Sequence, residues 1–416
     1  MGPVRWGSLL RLLILTLLVA EVGARVGVYL WAGKPFRSLD PYVFMQDGGY
    51  WNNPDYTHPY FVHNSAGFRN TEEFAVQKPG RTLRILAIGG STLYSGVSVT
   101  PFGWPTKPGT DKVLTAFLRR RIEADAAFRG WKVEVMNAGL NLSGLRENAV
   151  NFLANLSQYR PDVLLVFGSA NHFQHSSAVE LAMPFGSRPS RPFGDRFELA
   201  ANDRTLQGLV ERTVRTATYY SAFWGASYRL LDRTFEAANA RVAAAAVRRP
   251  RGARVADADL PLERRGHVVE NLDVAYTEYA GFLEAIFAFC RVHGIRPALF
   301  WEYYLVNLRG VKPYSDYERA LSEYYLAHDS RDGWANTPLY FRMRDRIAER
   351  ARGSGVPMVD LLEDFRGHSG TVFNDYLHYS ENGNRWVAER VFAHLRPLFL
   401  SVATGAGGPG ATAALR

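Results

Sequence analysis

The chain has 416 residues, of which 47% are hydrophobic, so it can bury a large core and is not an intrinsically disordered protein. Its 49 Lys and Arg outnumber its 40 Asp and Glu, giving a net charge of +9, but it has no zinc-finger spacing, RNP-like motif or basic terminal run. We therefore expect no nucleic-acid partner. The one cysteine, Cys290, excludes an intrachain disulfide, and its apolar, helix-like surroundings predict a buried, inert thiol.

The N-terminus is typical of an export or anchor segment. Arg5 and Arg11 precede the apolar run "LLILTLLVA". "VGA" at 22–24 suits a signal-peptide cleavage site, whereas residues 8–32 could span a bilayer as an uncleaved signal-anchor. The uncleaved signal-anchor is favoured, and residues 1–32 would then attach the chain to the membrane. Under both alternatives the rest of the chain lies outside the cytoplasm, in the periplasm or at the cell surface.

Residues 33–80 are rich in Pro, Asn, Tyr and Gly, and they predict loops with short strands. From Leu83 onward, short apolar runs alternate with longer amphipathic stretches. The runs predicted as strands are 83–90, 132–139, 162–170, 296–303 and 356–363. The stretches predicted as helices are 111–127, 145–159, 271–293, 340–354 and 381–400. This alternation predicts an α/β fold with a five-stranded parallel sheet that is covered by helices on both faces.

Two long segments interrupt the alternation and are predicted as insertions into one domain over 81–403. The first, 175–270, contains expected helices around 206–246 and an arginine-rich connection, and a lid over the site is one hypothesis for its role. The second, 304–339, is rich in tyrosine. The Gly- and Ala-rich tail, 404–416, is predicted to be disordered.

The first predicted strand ends in "GGST". In an open parallel sheet, ligands bind at the carboxyl ends of the strands. Gly89 and Gly90 permit a sharp turn, and Ser91 would begin a helix with an exposed hydroxyl and an N–H that no helix carbonyl accepts. A nucleophilic serine with half of an oxyanion hole fits this pattern. A simple helix cap and a phosphate-binding loop are the alternatives, but the chain has no P-loop lysine and no GxGxxG.

A serine nucleophile needs a general base and a group that orients the base. "NDYLHYSENGN" places Asp375 three residues before His378, just ahead of the last predicted helix. At that spacing Asp375 can hold Nδ1–H of His378 and leave Nε2 for Ser91.

Oxyanion donors are available at two other strand ends. The third strand ends in "GSANHF", which offers the side-chain amide of Asn171. The second ends in "NAGLNLSG", which offers the backbone N–H of Gly139 or Gly144.

The segments "GGST", "NAGLNLSG", "GSANHF" and "NDYLHYSENGN" resemble, in order, the four signature blocks of the SGNH (GDSL-type) hydrolase superfamily. The resemblance covers 81–399 apart from the long insertions, and "NSAGFRN" at 64–70 is similar to a segment of bacterial secreted and anchored members. It implies a flavodoxin-like three-layer α/β/α sandwich and a serine esterase without a cofactor. It also implies the roles of several residues: nucleophile Ser91, base His378, its partner Asp375, and oxyanion donors Ser91, Gly144 and Asn171. Beside this site, Thr92 and His172 are predicted substrate contacts, and the alternative for His172 and His175 is that they satisfy polar groups of their loop.

The chain departs from the family pattern at several positions. Gly90 stands where the usual Gly-Asp-Ser has aspartate, and His172 follows Asn171 in place of an acidic residue. The second block reaches Gly144 only with a two-residue insertion, which leaves Gly139 as an alternative donor. His172 and His175 form a His-x-x-His pair, but two ligands fall short of a metal site, so no metal is expected.

Three functions fit these residues. The leading hypothesis is a serine esterase that cleaves O-acyl esters, O-acetyl esters foremost, on an extracytoplasmic substrate such as a polysaccharide. An O-acyltransferase acting on a cell-surface polysaccharide with the same triad is the alternative. A catalytically degenerate, membrane-anchored glycan-binding module is the second alternative. Aromatic residues at 48–56 and 300–305 would stack on sugars or pack in the core. An activated serine requires Ser91 Oγ within hydrogen-bond reach of His378 Nε2, which separates the enzymes from the binding module.

Overall fold

The computed structural model describes residues 6–32, 42–44, 50–54, 56–58, 61–95, 108–141, 143–177, 221–223, 227, 266–328 and 338–405. The chain divides into two compact units, one of residues 1–57 with 189–251 and one of residues 58–188 with 252–416. Of the helices expected around 206–246, only residues 221–223 and 227 are described. The arginine-rich connection and residues 406–416 of the tail lie outside the described residues.

The first unit begins with helix α1 (Trp6–Ala32) and contains the antiparallel strands β1 (Tyr42–Phe44) and β2 (Tyr50–Asn52). Apolar side chains of α1 are exposed along its length, among them Leu12, Leu18 and Val22. In the part of the chain that the structure describes, no helix is both long and apolar enough to cross a membrane. The membrane helix therefore stays a prediction.

One carboxylate of α1 has several partners. Glu21 accepts hydrogen bonds from the hydroxyl of Ser221 at 2.6 Å and from the N–H groups of Ala222 and Phe223 at 3.0 Å each. Arg25, one turn further along α1, also donates to Glu21 at 2.7 Å. The helix therefore holds segment 221–223 through a charged side chain.

Two short strands, β3 (Thr57–His58) and β4 (Phe61–Val62), precede the sheet of the second unit. This sheet comprises β5 (Thr82–Gly89), β6 (Lys132–Gly139), β7 (Val163–Val166), β8 (Arg296–Phe300) and β9 (Met358–Val359). All neighbouring pairs are parallel, in the order β6-β5-β7-β8-β9. The predicted five-stranded parallel sheet is thus confirmed. The chain changes direction across the sheet between β5 and β7, which is where α/β folds of this order bind their ligands.

The helices of this unit are α2 (Ser91–Tyr94), α3 (Leu114–Glu123), α4 (Leu145–Ala154), α5 (Ser169–Ser177), α6 (Gly266–His293), α7 (Asp316–His328), α8 (Pro338–Gly353), α9 (Leu362–Arg366) and α10 (Glu381–Ala403). Single 3₁₀ turns lie at Thr110–Lys112, Ala126–Phe128, Leu156–Tyr159 and Leu305–Leu308. Helices α3 and α10 pack together, and α4 and α5 pack on α6. All eight residues of β5 are buried, so the strand that carries the glycine turn lies in the core.

Several predicted elements are shorter than their sequence patterns, and three of them show this most clearly. The third strand stops at Val166 because Gly168, with φ at +129°, turns the chain into α5. The helix predicted over 111–127 is α-helical only from Leu114 to Glu123, with a 3₁₀ turn on each side. The last strand is reduced to Met358–Val359. Apolar runs therefore located these elements but continued past their ends.

"NSAGFRN" lies along the outer edge of β6. The N–H of Arg69 donates to the carbonyl of Asn137 at 2.9 Å, and the N–H of Asn137 donates to the side-chain oxygen of Asn70 at 2.8 Å. The amide of Asn70 then donates to the carbonyl of Val135 at 3.1 Å. The motif thus occupies backbone groups that an edge strand leaves open.

A buried ion pair lies near the amino end of the sheet. Arg84 on β5 and Glu134 on β6 are register partners, and Nε of Arg84 lies 2.6 Å from the Glu134 carboxylate. The two side chains are 0% and 3% exposed. Lys132 reaches the other oxygen of Glu134 at 2.7 Å, and Arg84 also donates to the Tyr159 carbonyl at 2.6 Å.

Candidate active site

The glycine turn after β5 has no room for side chains. A Cβ on Gly89 would lie 2.5 Å from Cβ of Phe167. A Cβ on Gly90 would lie 2.5 Å from the side-chain nitrogen of Asn171 and 3.0 Å from the Ser143 carbonyl oxygen. In this chain, a side chain at position 90 would therefore collide with the Asn171 amide.

The structure brings Ser91, His378 and Asp375 into one chain of hydrogen bonds. Oγ of Ser91 lies 2.8 Å from Nε2 of His378, and Nδ1 of His378 lies 2.6 Å from a carboxylate oxygen of Asp375. Ser91 begins α2, and the other two residues lie in the loop before α10, 287 residues away for His378. Ser91 is 7% exposed and His378 is 5% exposed, while Asp375 is wholly buried.

Asp375 is held as a carboxylate. Burial alone would raise its pKa, but the charge and ring N–H of His378 and the backbone N–H groups of His378 and Leu377 together lower the pKa below its ordinary value. The two backbone donors reach its second oxygen at 2.7 Å and 2.8 Å. An ionised Asp375 fixes the tautomer in which Nε2 of His378 accepts the serine proton.

Two of the three predicted oxyanion donors lie together. The N–H of Ser91 belongs to the first turn of α2, where no helix carbonyl accepts it. Asn171 lies near the start of α5, and its amide donates to the Ser143 carbonyl at 3.0 Å beside Gly90. An N–H and an amide NH2 on either side of one turn can receive a developing oxyanion.

The second-block glycines do not fit the predicted role. The N–H of Gly144 donates to the Glu147 carboxylate at 2.9 Å in the cap of α4, so this donor is already used. The N–H of Gly139 donates to the Asn137 side chain at 2.9 Å, and a Cβ on Gly139 would lie 2.5 Å from the Tyr94 nitrogen. Gly139 permits the close approach of α2, and Gly144 ends a loop in a helix cap.

The predicted substrate contacts, Thr92 and His172, lie in the interior. Thr92 is 2% exposed, and its hydroxyl hydrogen-bonds to Glu302. His172 is 7% exposed, Nε2 of its ring lies 3.0 Å from the Ala275 carbonyl, and the ring packs edge-on against Tyr279. Both side chains therefore pack against neighbouring elements, and their contact with substrate stays a prediction.

The side chain of His175 lies outside the described residues. Among the residues that are described, no three or more His, Cys, Asp and Glu side chains lie close enough to hold a metal ion. Cys290 is buried in α6, where burial raises the pKa of its thiol to about 12, so the thiol is protonated at neutral pH.

Part of the segment 304–339 supports the loop that carries the base. The N–H of Leu305 donates to the Tyr376 carbonyl at 2.8 Å, and the Tyr317 hydroxyl donates to the Asn374 carbonyl at 2.6 Å. Glu318 accepts the Val372 N–H at 2.8 Å and forms a fully buried pair with Lys312 at 2.6 Å. The tyrosine-rich composition alone did not indicate this role.

Sequence reasoning also missed Glu302, a 1% exposed residue that follows β8. Its side chain accepts hydrogen bonds from both the nucleophile turn and the residues just before Asn171. The sequence signal for Glu302 was its position, because it lies near the end of a predicted strand, as Ser91 and Asn171 do. The aromatic residues around it were instead interpreted as sugar-stacking or core residues.

The large aromatic residues of the run 300–305 are buried in the core: Phe300, Trp301, Tyr303 and Tyr304. Trp51 and Tyr56 of the other run are buried as well.

No family model and no curated protein matches the chain. Solved structures that resemble it include LAE5, an α/β hydrolase enzyme from the metagenome of Lake Arreo, with a TM-score of 0.39 and 13% identity over 78% of this chain and 98% of that one. The acetylxylan esterase Axe2 from Geobacillus stearothermophilus gives 0.37 and 11% over 76% and 94%. A protein described as lipolytic and of the G-D-S-L family, from Desulfitobacterium hafniense, gives 0.33 and 11% over 76% and 100%. These neighbours include esterases and a member of the group that the four motifs resemble, and at such scores they identify no substrate.

Proposed function

We propose that this chain is a serine esterase of SGNH type that cleaves O-acyl esters, with O-acetyl groups on an extracytoplasmic glycan as the expected substrate. The observation that carries the proposal is the continuous contact from Ser91 Oγ to His378 Nε2 at 2.8 Å and from His378 Nδ1 to Asp375 at 2.6 Å. This arrangement prepares the Ser91 hydroxyl for proton transfer, and a binding module does not need such a hydroxyl.

In the first half-reaction, Ser91 Oγ attacks the ester carbonyl carbon while its proton passes to Nε2 of His378. The carbonyl electron pair moves onto oxygen, and the N–H of Ser91 and the amide of Asn171 donate to this oxyanion. The tetrahedral intermediate then collapses, and the ester C–O bond breaks. His378 returns the proton to the departing alcohol oxygen, which leaves the acyl group on Ser91.

The second half-reaction repeats these steps with an acceptor hydroxyl. Water as acceptor releases the carboxylic acid and gives an esterase, whereas a sugar hydroxyl gives an acyltransferase with the same triad.

The test combines labelling with turnover. The purified full chain is treated with a fluorophosphonate and, separately, with O-acetylated polysaccharides while acetate release is measured. We expect labelling and acetate release by the wild type, neither by Ser91→Ala, and a reduction of at least about 10⁴-fold in turnover for His378→Ala.

A matched control is His394→Ala. His394 also contacts an aspartate, Asp364, at 3.0 Å, but on the exposed face of α10. Its replacement should leave both readouts unchanged. A folded wild type that takes up no label would overturn the esterase and the transferase together and favour the binding module.

We further propose that α1 stays attached and holds the chain at a membrane, with the second unit outside the cytoplasm. The exposed apolar side chains of α1 support attachment. Cleavage after Ala24 would remove Glu21 and with it the acceptor for Ser221, Ala222 and Phe223, which favours the uncleaved form. The mass of the protein recovered from the membrane fraction tests this, and a chain that lacks its first 24 residues would contradict it.

A further inference from the structure

Glu302 fixes the backbone of the loop that leads to Asn171. One oxygen of its carboxyl group accepts the N–H of Gly168 at 2.8 Å and the N–H of Ala170 at 3.1 Å. In return, the N–H of Glu302 donates to the Ser169 hydroxyl at 3.1 Å. Three consecutive residues ahead of Asn171 are therefore bound to one residue that follows the neighbouring strand, β8.

The other side of Glu302 faces the nucleophile turn. The Thr92 hydroxyl hydrogen-bonds to the Glu302 side chain, and Thr92 directly follows Ser91. Thr92 and Glu302 are 2% and 1% exposed, so water does not compete for this contact. One carboxyl group thus joins the residue after the nucleophile to the residues before the oxyanion donor, across the point where the sheet order reverses.

Burial of the Glu302 carboxyl group is energetically unfavourable for the folded state. The groups that donate to the Glu302 side chain are backbone amides and hydroxyls, all of them neutral. A carboxyl group buried among neutral groups is unfavourable, and the same space could be filled by an apolar side chain without that penalty. Stability alone therefore does not explain a carboxyl group at this position. Its hydrogen bonds to the turn after Ser91 and to the residues before Asn171 do explain it, because they align these two segments.

We propose that Glu302 is a positioning residue that sets Asn171 and Ser91 at the relative distance that an oxyanion needs. The inference rests on the proposed esterase function. Oxyanion donors act only when they lie about 2.7–3.1 Å from the developing charge. A displacement of about 1 Å lowers the rate by about 10²-fold.

The test compares Glu302→Ala and Glu302→Gln with Glu134→Gln, a matched change of a buried carboxyl group at the opposite end of the sheet. We expect Glu302→Ala to lower kcat and the fluorophosphonate labelling rate by about 10-fold to 10²-fold while KM changes little, because the donor is misplaced and substrate contacts remain. Glu302→Gln keeps an oxygen for the two N–H groups and should recover most of the activity. Glu134→Gln should keep the wild-type kcat.

Thr92→Val removes only the hydroxyl contact and serves if Glu302→Ala does not fold. Positioning predicts a lower kcat at constant KM for Thr92→Val alone. Where Glu302→Ala folds, the double variant should show no further loss. Wild-type kcat and labelling in Glu302→Ala, an equal loss in Glu134→Gln, or a rise in KM alone for Thr92→Val would each overturn the inference. These outcomes differ from failure of the esterase proposal, in which the wild type itself takes up no label.

Discussion

The two ends of the central sheet each bury a carboxyl group, and they satisfy it in different ways. At the amino end, Glu134 is neutralised by Arg84 at 2.6 Å and by Lys132 at 2.7 Å. At the carboxyl end, the hydrogen bonds to Glu302 come from backbone amides of Gly168 and Ala170 and from hydroxyl groups.

This difference separates support of the fold from support of the site. The Arg84–Glu134 pair joins adjacent residues of β5 and β6 within the sheet itself. Glu302 instead joins loops beyond the strand ends, where Ser91 and Asn171 must be placed. Changes at the amino end should therefore alter stability, and changes at the carboxyl end should alter the rate.

Among the variants that test this difference, the largest effect is expected for Asp375→Asn. The amide would accept less well from Nδ1 of His378 and would favour the tautomer that cannot take the serine proton, so kcat should fall by about 10⁴-fold. Steady-state kinetics with a small acyl ester measures the loss, and an unchanged melting temperature shows that the fold is intact. A loss below tenfold would mean that Asp375 does not orient the base.

At the amino end, Arg84→Met should destabilise the second unit by about 3–5 kcal/mol, because it leaves the buried Glu134 without its nearest cation. Denaturant unfolding gives this difference. The kcat of the folded fraction should equal that of the wild type. A reduced kcat in folded protein would remove the distinction between the two ends of the sheet.

Gly90→Ala places a methyl group where the Asn171 amide lies, at 2.5 Å from its nitrogen. The amide must move, and we expect a loss of about 10²–10³-fold in kcat, as for removal of one oxyanion donor. Asn171→Ala provides the comparison, since the two variants should lose similar amounts and the double variant little more. Strictly multiplicative losses would show that Gly90 acts separately from Asn171.

The smallest effect concerns pH. Burial raises the pKa of the Glu302 carboxyl group, in spite of the hydrogen bonds that it accepts. Its protonated form therefore favours the folded state below its ordinary pKa, and this contribution is lost as the pH rises toward the folded-state value. The melting temperature of the wild type should fall relative to that of Glu302→Gln as the pH is raised above the ordinary carboxyl pKa of 4.5. Parallel curves for the two proteins would contradict the shift, and the exposed Glu363→Gln serves as control.

Much of the fold was predictable because apolar runs and amphipathic stretches follow the strands and helices closely. The motif order also located Ser91, Asn171, Asp375 and His378, which the structure brings to one end of the sheet. Spacing along the chain was sufficient here because parallel strands bring their carboxyl ends together.

Other residues could not be placed from the sequence. The use of the Gly144 N–H depends on Glu147 one helical turn later, and the direction of the Thr92 side chain depends on Glu302, over 200 residues away. Such contacts are set by tertiary packing and leave no periodic signal. The N-terminal helix is a further case, because its composition predicts a membrane span that the described residues do not confirm.

Both edge strands of the five-stranded sheet leave few backbone hydrogen-bonding groups open. Along β6, Arg69 and Asn70 occupy the backbone groups of Asn137 and Val135 that would otherwise face outward. The opposite edge strand, Met358–Val359, is only two residues long. In the described residues of this five-stranded sheet, neither border offers a long row of open amides and carbonyls, so this sheet should resist edge-to-edge pairing with a second copy.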